Sequence, residues 1–191
     1  FTHSMYSVLL GECSIREAVV KTSCGVDLLP SEPALAGIQV ELIVEEDRDL
    51  RMRRALATIE GYEYVLIDCP PSLNVLTINA LVAADAVLIP VQCEYYALEG
   101  LSGLLETISR VRQRSNPALA IDGLLRTMFD GRNSLTNEVS EQLKEHFGEK
   151  LFRTVIPRNV RLAEAPSYGK PVIDYDPTCS GTQAYLALAG E

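Results

Sequence analysis

Apolar and polar positions along this chain follow two different periods, and the switches between them divide it into helix and strand candidates. FTHSMYSVLLGECSIREAVVKT reads as a short helix followed by a second helix led in by Ser14, a residue type that favours the N-cap. IQVELIV, 38 to 44, is rich in β-branched residues and predicts a strand. In DRDLRMRRALATIEG, Met52, Ala55, Leu56 and Ile59 recur at the spacing of one helical face, and Gly61 is placed to stop the helix. YVLIDC, 64 to 69, is apolar without alternation, the pattern of a parallel strand covered on both faces. A helix over about residues 73 to 84 and another buried strand, AVLIPV at 86 to 91, follow it. Leu98, Leu101, Leu105, Ile108 and Val111 form a stripe that predicts a helix over 97 to 114, closed by Asn116-Pro117. IDGLLRTMF, 121 to 129, is a strand; Leu135, Val139, Leu143 and Phe147, four apart, predict a helix over 134 to 147. LFRTVIP, 151 to 157, is the last clear strand, and a short helix from about Ser180 closes the chain.

Strands and helices alternating at short intervals predict an α/β fold, a mostly parallel sheet flanked by helices. No repeat, linker or low-complexity tract interrupts it, so 191 residues of 47% hydrophobic composition are expected to form a single domain over 1–191. The chain has no apolar run of about 18 residues and no charged start followed by an apolar signal core, which predicts a cytoplasmic protein with no membrane partner. Five cysteines without a CxxC pair, and only two histidines, read as reduced thiols rather than a disulfide framework or a structural metal site. A net charge of -9 excludes a uniformly nucleic-acid-binding surface and confines any DNA contact to a local basic patch.

The chemistry begins with Asp68, an acid where a buried strand is expected to end. Open parallel sheets bind ligands beyond the carboxyl ends of their strands. An acid there matches the Walker-B position of nucleotide hydrolases, whose carboxylate holds magnesium or its water. Pro70 and Pro71 fix φ and remove two donors, giving a stiff lead towards Ser72 and Asn74. The alternative at this point is that Asp68 merely caps the next helix. Cys69 beside it has no histidine nearby in sequence, and the adjacent carboxylate would raise its thiol, so it reads as a small hydrophobe rather than a nucleophile. His3 and His146 read as surface or helix residues.

YVLIDCPPSLNVLTINAL, VLIPVQCEYYALEGLSGLLETI, TMFDGRNSLTNEV and FRTVIPRNVRLAEAPSYGKPVIDYDP together resemble the ParA/Soj chromosome-partitioning ATPases, and the resemblance covers essentially the whole chain. It implies a P-loop NTPase-like fold in which Asp68 is the Walker-B acid and holds Mg through a water. Pro70, Pro71 and Ser72 would be the switch that senses the γ-phosphate. Met128 and Asp130 at the end of one strand, with the loop Pro157, Arg158, Asn159 and Val160, would form the adenine pocket. A thioether suits a flat base, though core filling for Met128 and a turn role for Asp130 before Gly131 remain the plain alternatives. The resemblance also implies ATP and Mg as cofactors of the parent protein, a homodimer, nucleoid association, non-specific DNA binding and a ParB-type centromere-binding partner. Arg132, Arg158, Arg161 and Lys170 are the candidate phosphate contacts; the alternative is a solvated basic face, or ion pairs with Glu164 and Asp174. Tyr95-Tyr96 fall in a part of the family's fold near dimer and partner surfaces.

One departure is an absence. No GxxxxGK[ST] or KGGxGKT occurs; Gly11 and Gly25 are isolated, and Lys21-Thr22 follows valines. That loop's N–H groups cradle phosphates, so the chain as given is expected not to turn over ATP, and it reads as N-terminally truncated, the carboxyl-terminal part of a complete ATPase. The other function class is a non-catalytic DNA- or partner-binding regulatory module on a degenerate NTPase scaffold. A membrane-positioning ATPase of the MinD type predicts a basic amphipathic helix at the carboxyl end, and GTQAYLALAGE contains no basic residue.

Overall fold

Serine and asparagine caps mark the points where the sequence changes period. The computed structural model describes residues 1–191 and places helix α1 (Met5–Leu10) behind Ser4, whose hydroxyl accepts the Tyr6 N–H at 3.1 Å and donates to Glu32. Helix α2 (Ile15–Ala18) opens with a capping box: Ser14 Oγ accepts the Glu17 N–H at 3.4 Å, and Glu17 Oε2 accepts the Ser14 N–H at 2.8 Å. A two-stranded antiparallel ribbon, β1 (Val20–Lys21) and β2 (Asp27–Leu28), follows. Contact density divides the chain into one unit of Phe1–Asp85 with Thr107–Leu119 and another of Ala86–Glu106 with Ala120–Glu191.

In the first unit, helices α3 (Ile38–Glu41), α4 (Arg51–Leu56) and α5 (Val75–Ala83) gather around Leu9, Ile38, Leu42, Met52 and Ala80. Buried Asn79 ties two of them together: its Oδ1 accepts the Met52 N–H at 3.1 Å, and its Nδ2 donates to the carbonyls of Arg48 at 2.7 Å and Val75 at 3.0 Å. Asn116 donates to the carbonyls of Leu81 at 3.0 Å and Ala84 at 2.8 Å, satisfying acceptors that the end of α5 leaves over.

Two expectations fail in this unit. IQVELIV forms α3 and a 3₁₀ turn (Leu42–Val44), not a strand. Ile38 and Leu42, four apart, both reach the core while Val40, Ile43 and Val44 stay exposed, so a helical burial pattern overrides β-branched propensity. YVLIDC carries no regular structure: Tyr64 and Leu66 are 80% and 94% exposed, and only Ile67 packs against the core. A strand exists through a neighbour's N–H and C=O groups, and no ladder reaches this run. Asp68 therefore lies in an exposed irregular segment rather than at a strand end.

In the second unit the predicted elements form. β3 (Ala86–Gln92), the first part of α6 (Ala97–Arg114, whose residues from Thr107 on belong to the first unit), β4 (Ala120–Phe129), α7 (Ser134–Phe147) and β5 (Leu151–Pro157) alternate, and the strands make a parallel sheet in the order β3-β4-β5. The fold is α/β, as the pattern predicts. Pro90 falls on edge strand β3, where a missing donor is tolerated. Gly123 is required by close approach, because a Cβ there would lie 2.6 Å from the Phe152 ring. Leu124, Leu125, Val139, Leu143, Leu151 and Ile156 are buried. Short helices α8 (Val160–Glu164) and α9 (Val172–Tyr175) lead to α10 (Ser180–Ala189).

Candidate functional site

Three parallel strands point their carboxyl ends the same way, and a cleft of about 250 Å³ opens where they end. Gln92, Cys93 and Glu94 contribute from the end of β3, Met128 and Asp130 from the end of β4, Asn133, Leu135 and Thr136 from the start of α7, and Arg158 from beyond β5. Sites that enclose a drug-sized ligand usually occupy about 300–1,000 Å³; this one lies just below that range.

Its walls are shaped by register. Arg126 pairs with Val155 and Phe129 with Pro157, so β4 carries one more residue than β5 across that stretch. The extra residue is accommodated with Met128 at φ +51°, the left-handed conformation typical of one class of bulge. Bulges re-aim side chains, and Met128 is accordingly half-exposed in the cleft wall rather than in the core. The Arg158 N–H then donates to the Phe129 carbonyl at 3.0 Å, binding the loop after β5 to the end of β4.

Asp130 is held by its own loop. Arg132 donates from Nε to Oδ1 at 2.9 Å, from Nη2 to Oδ2 at 2.8 Å, and from its N–H to Oδ1 at 3.1 Å. Those bonds, with the charges of Arg132 and Arg158 beside them, push the Asp130 carboxyl down to about 2. Asn133 caps α7 by accepting the Leu135 N–H at 3.0 Å, and the Asn137 side chain donates to the Gly131 carbonyl at 2.9 Å. Cys93, 4% exposed, has its thiol pushed up by burial, with Arg126 opposing the shift.

The structure brings Met128, Asp130 and Arg158 together but not the rest of the adenine set. Pro157 sits in the ladder opposite Phe129. Both ends of the Asn159 amide are committed, Oδ1 to the Arg161 N–H at 2.8 Å and Nδ2 to Ser180 Oγ at 2.7 Å, and Val160 is exposed at the start of α8. Of the basic residues, Arg132 is bound to Asp130, and Arg161 pairs with Glu164 at 2.7 Å and Asp176 at 3.5 Å. Lys170 and Arg158 are exposed. The segment from Arg158 to Lys170 is braced by Tyr168 stacked on Tyr175 at 5.0 Å and by Leu162 packed against Gly181, where a Cβ would lie 2.6 Å from the leucine side chain.

In the first unit, Asp68 is exposed beside Cys69, whose thiol is raised by desolvation and then by the Asp68 charge. Pro70, Pro71 and Ser72 form an exposed lead into α5. Ser72 Oγ accepts from Asn74 Nδ2 at 3.0 Å, and Asn74 caps the helix by accepting the N–H groups of Leu76 at 3.0 Å and Thr77 at 3.4 Å. Helix capping at this point belongs to Asn74, not Asp68. Sequence reasoning missed Gln92, Cys93, Glu94, Asn133, Leu135 and Thr136; their one signal is position, immediately beyond a strand or opening the next helix.

A family described as an AAA domain matches residues 1–121. The chain is 53% identical to the chromosome partitioning protein ParA of Caulobacter vibrioides over 192 residues, covering 98% of this chain and 72% of that protein. It is 49% identical to the sporulation initiation inhibitor protein Soj of Bacillus subtilis over 189 residues, covering 98% and 75%. Among solved structures, a cobyrinic acid a,c-diamide synthase from Mycobacterium smegmatis with a bound ATP analog and magnesium superposes at a TM-score of 0.77 with 39% identity, over 83% of this chain and 64% of that one. The chain thus spans about three quarters of the length of the two partitioning relatives and less than two thirds of the synthase. No helix is long and apolar enough to cross a membrane.

Proposed function

The chain belongs to the ParA/Soj family of chromosome-partitioning ATPases, and from that premise we propose that it acts in ATP-dependent DNA segregation, with the cleft at the ends of β3, β4 and β5 receiving the adenine base. One observation carries the reading: segments far apart in sequence place Gln92, Met128, Asp130 and Arg158 around a single cleft at the carboxyl end of a parallel sheet. Met128 offers a polarizable thioether to the face of the base. The loops at Asp130 and Arg158 offer backbone groups to its edge, while the Asp130–Arg132 pair keeps the loop after β4 in place.

Asp68 and the lead to Ser72 suit magnesium and the γ-phosphate by their chemistry, while no GxxxxGK[ST] loop occurs in the chain to cradle the phosphates. Asp68 is an exposed carboxylate with no ion pair, and magnesium takes one or two carboxylates while keeping several waters. Pro70 and Pro71 limit the freedom of the lead to Ser72, so the hydroxyl that senses the γ-phosphate moves with a stiff segment. Bound ATP supplies a hydrolysable γ-phosphate whose loss removes the contacts made to it. In this reading the loaded protein forms a homodimer, binds nucleoid DNA through Arg132, Arg158, Arg161 and Lys170, and is released when a ParB-type partner stimulates hydrolysis. The Arg161 ion pair is exposed and screened by water, so exchanging it for DNA phosphate costs little.

The test is calorimetric titration of the protein, as its gene encodes it, with Mg-ATP, beside Met128→Ala and Arg158→Ala. Each substitution is expected to weaken binding by about fivefold to thirtyfold, the equivalent of roughly 1–2 kcal/mol. Affinity unchanged in both would refute the base site. For DNA, Lys170→Ala should lower the slope of log affinity against log salt by about one.

A further inference from the structure

β5 contains a stretch that the ladder leaves over. Between Leu124 and Arg126 β4 advances two residues while β5 advances four, from Leu151 to Val155. Residues 152–154 therefore bulge out of the pairing, and their peptide groups need other partners. Two charged side chains supply them. Arg126 on the central strand, 6% exposed, donates from Nη2 to the carbonyls of Phe152 at 2.7 Å and Arg153 at 3.1 Å, and from Nη1 to Ser140 Oγ on α7 at 3.0 Å. Glu191 takes the donors: Oε1 accepts the Arg153 N–H at 2.7 Å, and Oε2 accepts the Thr154 N–H at 3.0 Å. The cation holds the carbonyls of the bulge and the anion holds its amides.

Packing alone does not account for this arrangement. The two residues that precede Arg126 in β4, Leu124 and Leu125, are buried aliphatics. A guanidinium in the same layer, with its buried Nε lacking any acceptor, costs stability relative to a third aliphatic residue. What the pair secures lies downstream, where Pro157 faces Phe129 and the Arg158 N–H reaches the Phe129 carbonyl. Flattening the bulge would slide the end of β5 by two residues, roughly 6–7 Å at about 3.3 Å per residue. Arg158 would leave the cleft, and the compensating bulge that turns Met128 outward would lose its register.

We infer that Arg126 and Glu191 are positioning residues: they hold the bulge at 152–154 and thereby set Arg158 in the wall of the base cleft. The inference rests on the base-binding reading above for its functional consequence, and on the strand geometry alone for its structural one. Two readouts separate these. In Glu191→Gln, which keeps size and removes charge, amide hydrogen exchange at Arg153, Thr154 and Arg158 should speed by about tenfold or more, the loss expected for hydrogen bonds to a charged acceptor. Amides of the β3–β4 ladder should keep their protection. Mg-ATP affinity, measured on the protein as its gene encodes it, should fall by about tenfold. Arg126→Met should do the same from the carbonyl side; Arg126→Lys, which keeps a charged donor, should recover part of the loss and guards against a variant that fails to fold.

Arg158 protection and ATP affinity both unchanged in Glu191→Gln would overturn the inference, whether or not the Arg153 and Thr154 amides are freed. A response at the Arg158 amide in a protein whose unmodified form binds no adenine nucleotide would support the clamp and remove the base-binding reading instead.

Discussion

Two runs with the same sequence pattern behave in opposite ways. Leu124-Leu125 in β4 and Val65-Leu66 in 64–69 are both apolar stretches without alternation, yet the first is buried in the central strand of a sheet and the second lies exposed. β4 has β3 on one side and β5 on the other, so its N–H and C=O groups are paired and its leucines are covered. Residues 64–69 have no ladder within the chain. Apolar pattern reports the burial that a segment would gain, whereas strand formation also needs neighbours to complete its hydrogen bonds.

The largest expected effect sharpens this contrast directly. Leu124 is fully buried in β4, and Leu124→Ala should cost about 2–5 kcal/mol of unfolding free energy, as buried leucines do. Gly123→Ala comes next, because its new Cβ would lie 2.6 Å from the Phe152 ring; overpacking of this kind costs roughly 1–3 kcal/mol. Denaturant unfolding followed by circular dichroism measures both.

A smaller effect appears with pH. The amides of Arg153 and Thr154 hold the Glu191 carboxyl at about 2, below its ordinary value of about 4.3. Its contribution is therefore complete above about pH 4.3 and is lost as pH falls towards 2. The melting-temperature difference between the unmodified protein and Glu191→Gln should shrink across that interval; a difference independent of pH would contradict the assigned bonds. The smallest effect completes the comparison: Leu66→Ala, in the exposed run, should change stability by no more than about 0.5 kcal/mol. A loss as large as that of Leu124→Ala would mean that residues 64–69 are covered after all.

Much of the second unit was legible in the sequence, because its elements are long and their periods are strong. α7 and β5 start and stop where the pattern puts them, and β3, α6 and β4 differ by a residue or less at each end. In the first unit, IQVELIV misled through composition: its β-branched residues suggest a strand, while the four-residue spacing of Ile38 and Leu42 serves a helix. The cleft was legible in part. Met128 lies in the last pleat of β4, and Asp130 and Arg158 follow strands directly, which is where a parallel sheet binds its ligands. The commitment of Asn159 to capping α8 could not be read in advance, since an asparagine before a helix and one beside a ligand look alike in sequence. Register was hidden too, because a bulge depends on which residues face each other across strands. An arginine inside GLLRTMF was the one visible sign that β4 does something besides pack.

The central claim, that the cleft ending β3, β4 and β5 takes the adenine base, is tested most directly by methyl NMR. The chain has three methionines, and Met128 alone of them lines the cleft. With labelled methionine methyls and Mg-ATP titrated into the protein as its gene encodes it, the ring current of a stacked base should move the Met128 signal progressively while those of Met5 and Met52 stay in place. A Met128 signal that does not move when the nucleotide is saturating would contradict the account.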